Sequence, residues 1–266
     1  MLLDWLKGLL LFALIFVPLE RILARRPEQR VFRRGWINDM VYFVLNGLIV
    51  VLCLGSLVVG MTMTARWLLP VAVRAAAAGQ PYWVQIAEII VLADIGVYVA
   101  HRAFHAVPWL WRFHAIHHSS EELDWLSTTR VHPLDQIVTR GLSLLPVFTL
   151  GFSDVAIGAY AMLYGWQSML NHSNVRINFG PLRWVVASPE FHHWHHSHDH
   201  EARDKNFASQ LPLLDMLFGT FYMPRGRTPG KYGIDQPIPA TYAAQLLCPF
   251  RRILAPRSRT DVVDAT

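Results

Sequence analysis

Nine histidines in four groups have spacings that chemistry could use. All 13 histidines of this 266-residue chain fall between His101 and His200. The first group is His101 and His105. An i, i+4 pair shares one helical face with Cβ atoms about 5–6 Å apart, close enough for two imidazoles to grip one metal ion. The second group is His114, His117 and His118. On a helix His114 shares a face with both of the others, while His117 and His118 point about 100° apart and can face two different metals. His172, in Asn171-His172-Ser173-Asn174, stands alone, and His192, His195 and His196 repeat the spacing of the second group. Packing so many polar rings together without a metal is costly, because each buried ring needs a partner. A catalytic zinc typically takes about three protein ligands and a structural one about four. The supply exceeds both, and two metals with four or five imidazoles each would use it. Cysteine is absent from the groups, which excludes thiolate zinc and iron–sulfur centres; Fe, Zn, Cu and Ni remain open.

The elements that must position these rings are apolar. The chain is 53% hydrophobic and 16% charged, against about 25% charged in ordinary globular proteins. That excludes disorder as the dominant state. Two cysteines, Cys53 and Cys248, cannot staple a disulfide scaffold. Residues 5–19 read as a retained membrane anchor, short for a full span, because the positive charge follows the apolar run rather than preceding it. Residues 37–63 are the strongest transmembrane candidate, and residues 82–100 a third, interrupted by Glu88 and Asp94. Residues 137–170 are apolar but broken by Gly151-Phe152-Ser153-Asp154, so a hairpin entering and leaving on one side is expected. Arg21, Arg25, Arg26, Arg30, Arg33 and Arg34 place the first loop in the cytoplasm. Arg66 and Arg74 then lie outside, and His101 and all that follows lie at the cytoplasmic face. The net charge of +5 is thereby explained by topology rather than by nucleic-acid binding. The tail 256–266 reads as frayed and polar.

The set HRAFH, HAIHH, NHSN and HHWHH, in this order, resembles the fatty acid hydroxylase / sterol desaturase superfamily of integral-membrane di-iron oxygenases. Further matching elements are Asp94-x3-Tyr98-x2-His101-Arg102, Arg130-Val-His132-Pro133, Asp204-Lys-Asn206-Phe207 and Leu214-Asp215-Met-Leu-Phe218-Gly219-Thr220. The resemblance covers about residues 86–237. It implies an all-α fold: a transmembrane helical bundle under a cytoplasmic histidine-rich cap that holds a di-metal site. It also implies anchor helices over 1–85, a catalytic domain over 86–237 and a C-terminal tail over 238–266. The implied ligands are His101, His105, His114, His117, His118, His172, His192, His195 and His196, holding two iron ions, with no catalytic group beyond the metal centre. The implied chemistry is O2 activation with electrons from a separate redox protein, ending in hydroxylation or desaturation of a lipid, sterol or fatty-acyl C–H bond. No G-x-G-x-x-G fingerprint or fused haem domain is present, in keeping with an external donor of the ferredoxin, rubredoxin or cytochrome b5 kind.

Other residues are expected around the ligands. Asp94 lies two helical turns before His101, on the same face, and is expected to accept a ligand's outer N–H; Asp204 and Asn206 are expected to do the same for the last box. Asp204 reads equally as a cap or loop acid. His132, held extended by Pro133, reads as a partner to a ligand rather than a ligand. His193 points off the His192/His196 face, and His198 and His200 sit in a solvated loop. Trp109, Trp111, Trp125 and Trp166 are interfacial anchors, pocket walls or core aromatics. A membrane hydrolase using Glu190 as base is the alternative function. A metal transporter is disfavoured because the candidate ligands cluster at helix ends.

Overall fold

The computed structural model describes residues 2–251, where all regular structure is helical and the only extended pairings are isolated bridges, Ala24 with Val175 and Ser197 with Tyr232. The tail 256–266 lies outside the described residues. The helices are α1 Leu2–Ile22, α2 Trp36–Val41, α3 Gly47–Leu68, α4 Val71–Ala78, α5 Tyr82–Ala106, α6 Pro108–His118, α7 Pro133–Leu150, α8 Asp154–His172, α9 Pro189–His195, α10 Leu213–Leu217 and α11 Tyr242–Leu247. A π-turn, Tyr42–Asn46, joins α2 to α3 without a break. Among the described residues two stretches are long and apolar enough to cross a membrane, Trp36–Ala65 and Tyr82–Ala106.

Local chemistry starts the helices that carry histidines. α6, α7 and α9 open on Pro108, Pro133 and Pro189, whose missing N–H is no loss in a first turn. Ser188 accepts the Phe191 amide ahead of α9, and Ser153 accepts the Ala156 amide ahead of α8.

α5 is the central rod. Its buried Ile89 and Ala93 pack with Val147 of α7 and with Phe152, Ala156 and Tyr160 at and beyond the α7–α8 turn. Gly96 allows the tightest approach, since a Cβ there would sit 2.6 Å from the Leu142 oxygen and the Ser143 Cα of α7. α1 lies along the other side of α8, with Leu9 and Phe16 buried against Trp125, Leu126 and Met169.

The hairpin runs deeper than the sequence indicated. Gly151 takes a left-handed φ of 75° and turns the chain. Its neighbours there are Arg74 of α4 and Gln85 at the start of α5, whose Oε1 accepts both the amide and the hydroxyl of Ser153. The tip therefore reaches the end of α5 farthest from His101. α7 and α8 have 18 and 19 residues, or about 27–28 Å at 1.5 Å per residue. Each helix extends beyond the apolar run of 137–170 through polar residues toward the histidines.

A buried ion network joins the first loop to the cap. Arg33 Nη2 donates to Asp39 Oδ2 and to Asp124 Oδ1, each at 2.6 Å, and Arg130 Nε donates to Asp39 Oδ1 at 2.5 Å. Arg33, read from sequence as a topology signal, is also an internal strut. Residues 242–250 fold back so that Cys248 packs against Tyr42 and Ile116.

Candidate metal centre

The structure draws the nine histidines into two groups. One holds ring nitrogens of His101, His105, His114, His118 and His195; the other holds those of His117, His172, His192 and His196; within each group the atoms lie within 4.8 Å of one another. α5 contributes the first pair at its last two turns, α6 the middle three, α8 its final residue and α9 the last box. Neighbours in sequence part company because successive residues turn by about 100°. His117 and His118 enter different groups, and so do His195 and His196. The last box is divided likewise: His195 turns to one group, His192 and His196 to the other. The groups share a wall, where the His118 and His196 rings stack at 4.5 Å.

Ring orientation is set from outside. Nδ1 of His101 meets the Phe207 carbonyl at 2.8 Å, His195 that of Lys205 at 2.8 Å, His117 that of Arg130 at 3.1 Å, and His172 that of Ser168 at 2.9 Å. Nδ1 of His105 meets Asp204 Oδ1 at 3.1 Å, and Nδ1 of His114 meets Asp135 Oδ2 at 2.7 Å. Carbonyl and carboxylate oxygens only accept, so these Nδ1 atoms donate and the Nε2 atoms turn lone pairs inward. His101 Nε2 lies 3.0 Å from His114 Nε2, and His117 Nε2 lies 3.1 Å from His172 Nε2. Neither pair has a proton left to bridge it, so only a cation relieves the repulsion. Two nitrogens about 2.1 Å from one ion and about 90° apart are separated by about 3.0 Å, the spacing found. His195 Nε2 adds a buried lone pair with no protein partner. The residues present therefore fit two metal ions. Burial, reinforced by neighbouring imidazoles, holds His117, His118, His192 and His196 well below the ordinary histidine range, and burial brings His195 down to about 3. Neutral rings are the form that binds metal.

The expected supporting residues divide. Asp204 accepts from a ring, but from His105 of the first pair rather than from the last box, whose His195 takes the neighbouring Lys205 carbonyl instead. Asp94 touches no histidine: its carboxylate accepts the amides of Ser209, Gln210 and Leu211 at 2.7–3.1 Å. Those three donors hold the strap over residues 204–211 against α5, so Asp94 supports His101 and His195 only through the strap. Asn206 also meets no histidine; with φ 60° it donates to the Phe191 and Tyr222 carbonyls and accepts the Tyr222 amide. His132 is not beside a ligand either. It caps α7 through Leu134 N, and its Nε2 faces the Leu246 carbonyl. Pro133 fixes that outcome by starting a helix directly after it. His193 lies outside both groups, between the Tyr232 hydroxyl and the Ser173 carbonyl. His198 meets Asp235, and His200 is exposed. Asp135 was missed; an acid in the first turn after His132-Pro133, at the mouth of an apolar hairpin, was the available signal.

Two openings reach the histidines. A cavity of about 110 Å³ is lined by His101, His114, His117, His172 and His192 and runs between α7 and α8 past Asp135, Gln136, Thr139, Arg140, Tyr164 and Ser168. A cleft of about 300 Å³ on the cap side meets only the first group, at His105, His118 and His195, beside Trp111 and Arg203. Glu190, the base of the hydrolase alternative, lines neither.

A helical bundle whose cap gathers nine imidazoles around two metal-sized gaps defines a histidine-box metalloprotein. Residues 86–220 match the model of the fatty acid hydroxylase family, and the chain belongs to that family. It is 35% identical to an ornithine lipid hydroxylase (OlsE) of Rhizobium tropici over 175 residues, 65% of this chain and 52% of the relative. It is 32% identical to the alkylglycerol monooxygenase of Homo sapiens over 54% of this chain and 32% of that one. A very-long-chain aldehyde decarbonylase (GL1-1) of Oryza sativa subsp. indica is 30% identical over 46% of this chain and 21% of its own. The chain thus spans between about a fifth and about half of the length of these relatives. No solved structure matches it significantly.

Proposed function

We propose that this chain is an integral-membrane di-iron oxygenase that inserts oxygen into a C–H bond of a lipid. The observation that carries the reading is the pair of interlocked imidazole groups with inward lone pairs, bordered by a cavity that continues between two long apolar helices. His101, His105, His114, His118 and His195 would hold one iron, and His117, His172, His192 and His196 the other. Bound there, the irons would supply O2 activation and hydrogen abstraction. The chain's own groups do the rest. Asp135, Asp204 and the carbonyls of Arg130, Ser168, Lys205 and Phe207 hold ring protons outward. The cavity admits substrate from the bundle side, where a lipid arrives.

The bundle would cross the bilayer with α3, α5, α7 and α8, and the histidine cap would face the cytoplasm. Electrons would come from a separate ferredoxin-, rubredoxin- or cytochrome b5-like donor. The cap-side cleft favours entry at the first group, because it reaches His105, His118 and His195 without passing the substrate cavity. The test compares lipid extracts of cells with and without the protein. A mass gain of one oxygen that needs iron and O2 supports hydroxylation. Loss of two hydrogens places the enzyme among desaturases, and an unchanged lipid profile in cells making iron-loaded protein overturns the reading.

A further inference from the structure

The cavity beside the histidines carries a charged and an amide side chain, Arg140 and Gln136, where a channel for an acyl chain alone would need neither. On α7, Asp135, Gln136, Thr139 and Arg140 lie at i, i+1, i+4 and i+5, one helical face, and that face lines the cavity. Two of these residues are engaged: Asp135 holds His114, and Thr139 donates to Asp135 at 3.2 Å. Gln136 and Arg140 are not. Neither makes a side-chain hydrogen bond to another described residue, and no described carboxylate pairs with Arg140. The guanidinium is half-buried, with Cζ 5.2 Å from the centre of the Tyr164 ring on α8. A cation inside an apolar helical hairpin is costly and faces a cavity or a partner. Here it faces a cavity, five residues or about 7–8 Å along α7 from the carboxylate that orients His114.

We propose that Arg140, with Gln136, determines specificity by binding an anionic group, a carboxylate or a phosphate, of the lipid's polar part. The C–H bond presented to the metals would then lie close to that anion rather than far along an acyl chain. Volume agrees. The cavity holds about 110 Å³, well under the roughly 300–1,000 Å³ of pockets that enclose a drug-sized ligand. A headgroup fragment matches a space of this size. The Tyr164 ring borders the guanidinium without taking its N–H donors, and those donors suit paired contacts to carboxylate or phosphate oxygens. This inference rests on the oxygenase reading for the identity of the substrate as a lipid, but not for the binding itself.

The experiment measures binding without turnover. The purified full chain in detergent is titrated with three labelled short-chain probes: an N-acyl amino acid with a free carboxylate, a dioctanoyl phosphatidate and an uncharged monoalkylglycerol. At least one anionic probe should bind about tenfold or more tightly than the neutral one, and which of the two does so identifies the anion. Arg140→Gln should abolish the preference, Arg140→Lys should keep part of it, and metal content should match the parent. If Arg140→Gln loses metal, Gln136→Leu is read in its place and should weaken the preference. Equal binding of all three probes, or a preference untouched by the metal-retaining variants, overturns the proposal. A chain that prefers the anionic probes yet adds oxygen to no lipid leaves this inference standing and overturns the oxygenase reading instead.

Discussion

A histidine here is defined by where its two ring nitrogens go. His195 spends Nδ1 on the Lys205 carbonyl and turns Nε2 into the first group, whereas His193 spends both nitrogens outside, on Tyr232 and Ser173. His195→Ala should therefore lower metal content and abolish turnover. His193→Ala should keep the metal and stay within about tenfold of parental activity, the scale of modest effects from groups outside the ligand set. Metal analysis and turnover on the same two preparations decide, and loss of metal from His193→Ala alone refutes the assignment. Asp135 gives a second test. It is buried and 2.7 Å from His114 Nδ1. Asp135→Asn keeps an acceptor but loses the charge that raises the ligand's basicity. Metal release to a chelator should be about 10–100-fold easier, while Glu190→Gln, which lines neither opening, should release metal as the parent does.

Elements set the precision of those contacts. The strap over residues 204–211 offers Asp204, the Lys205 carbonyl and the Phe207 carbonyl to three rings of one group. It is pinned by carboxylates at its middle and its end, since Asp215 takes the amides of Phe207 and Ala208 and Asp94 takes those of 209–211. Without them those amides would be buried and unpaired, at about 1–3 kcal/mol each. The α5–α7 contact is equally specific. Gly96→Ala would drive a methyl group to 2.6 Å from α7 backbone, forcing apart the helices that carry His101 and Asp135. A loss of about 1–3 kcal/mol is expected, as for overpacking elsewhere. Gly158, on α8 with nothing within 4 Å of an added Cβ, should accept alanine without loss. Thermal melts of the two variants in detergent check this, and equal melting temperatures would refute the close-approach argument.

At the scale of the molecule the question is which ends share a side. Arg74 and Gly151 are neighbours, so in the proposed topology the α3–α5 connection and the hairpin tip would emerge together, opposite Arg30. In a background lacking Cys53 and Cys248, cysteines at Arg74 and Asp154 should react with an impermeant thiol reagent in intact cells, and one at Arg30 only after lysis. Labelling of Arg30→Cys alone would reverse the orientation, and separation of the 74 and 154 signals would break the packing of the hairpin. Purified active protein should carry two irons per chain; one stoichiometric zinc with no iron would remove the di-iron reading.

While the helical class came with the family resemblance, the sequence by itself determined the apolar segments, the break at Gly151 and the nine histidines worth watching. Each of these is a matter of local period, turn chemistry or residue type, which neighbours along the chain decide. It could not say that His195 joins the group of His101 rather than that of His192, that Asp94 serves amides rather than a ring, that His132 caps a helix, or that Asp135 holds His114. Those depend on which backbone oxygen lies opposite which nitrogen, across separations such as the 106 residues from His101 to Phe207. Such pairings are set by how α5, α7, α8 and the strap pack, at approaches as close as that of Gly96 to Leu142. Only the tertiary structure decided them, because a buried polar atom takes the partner that packing brings to it rather than the one its sequence position favours.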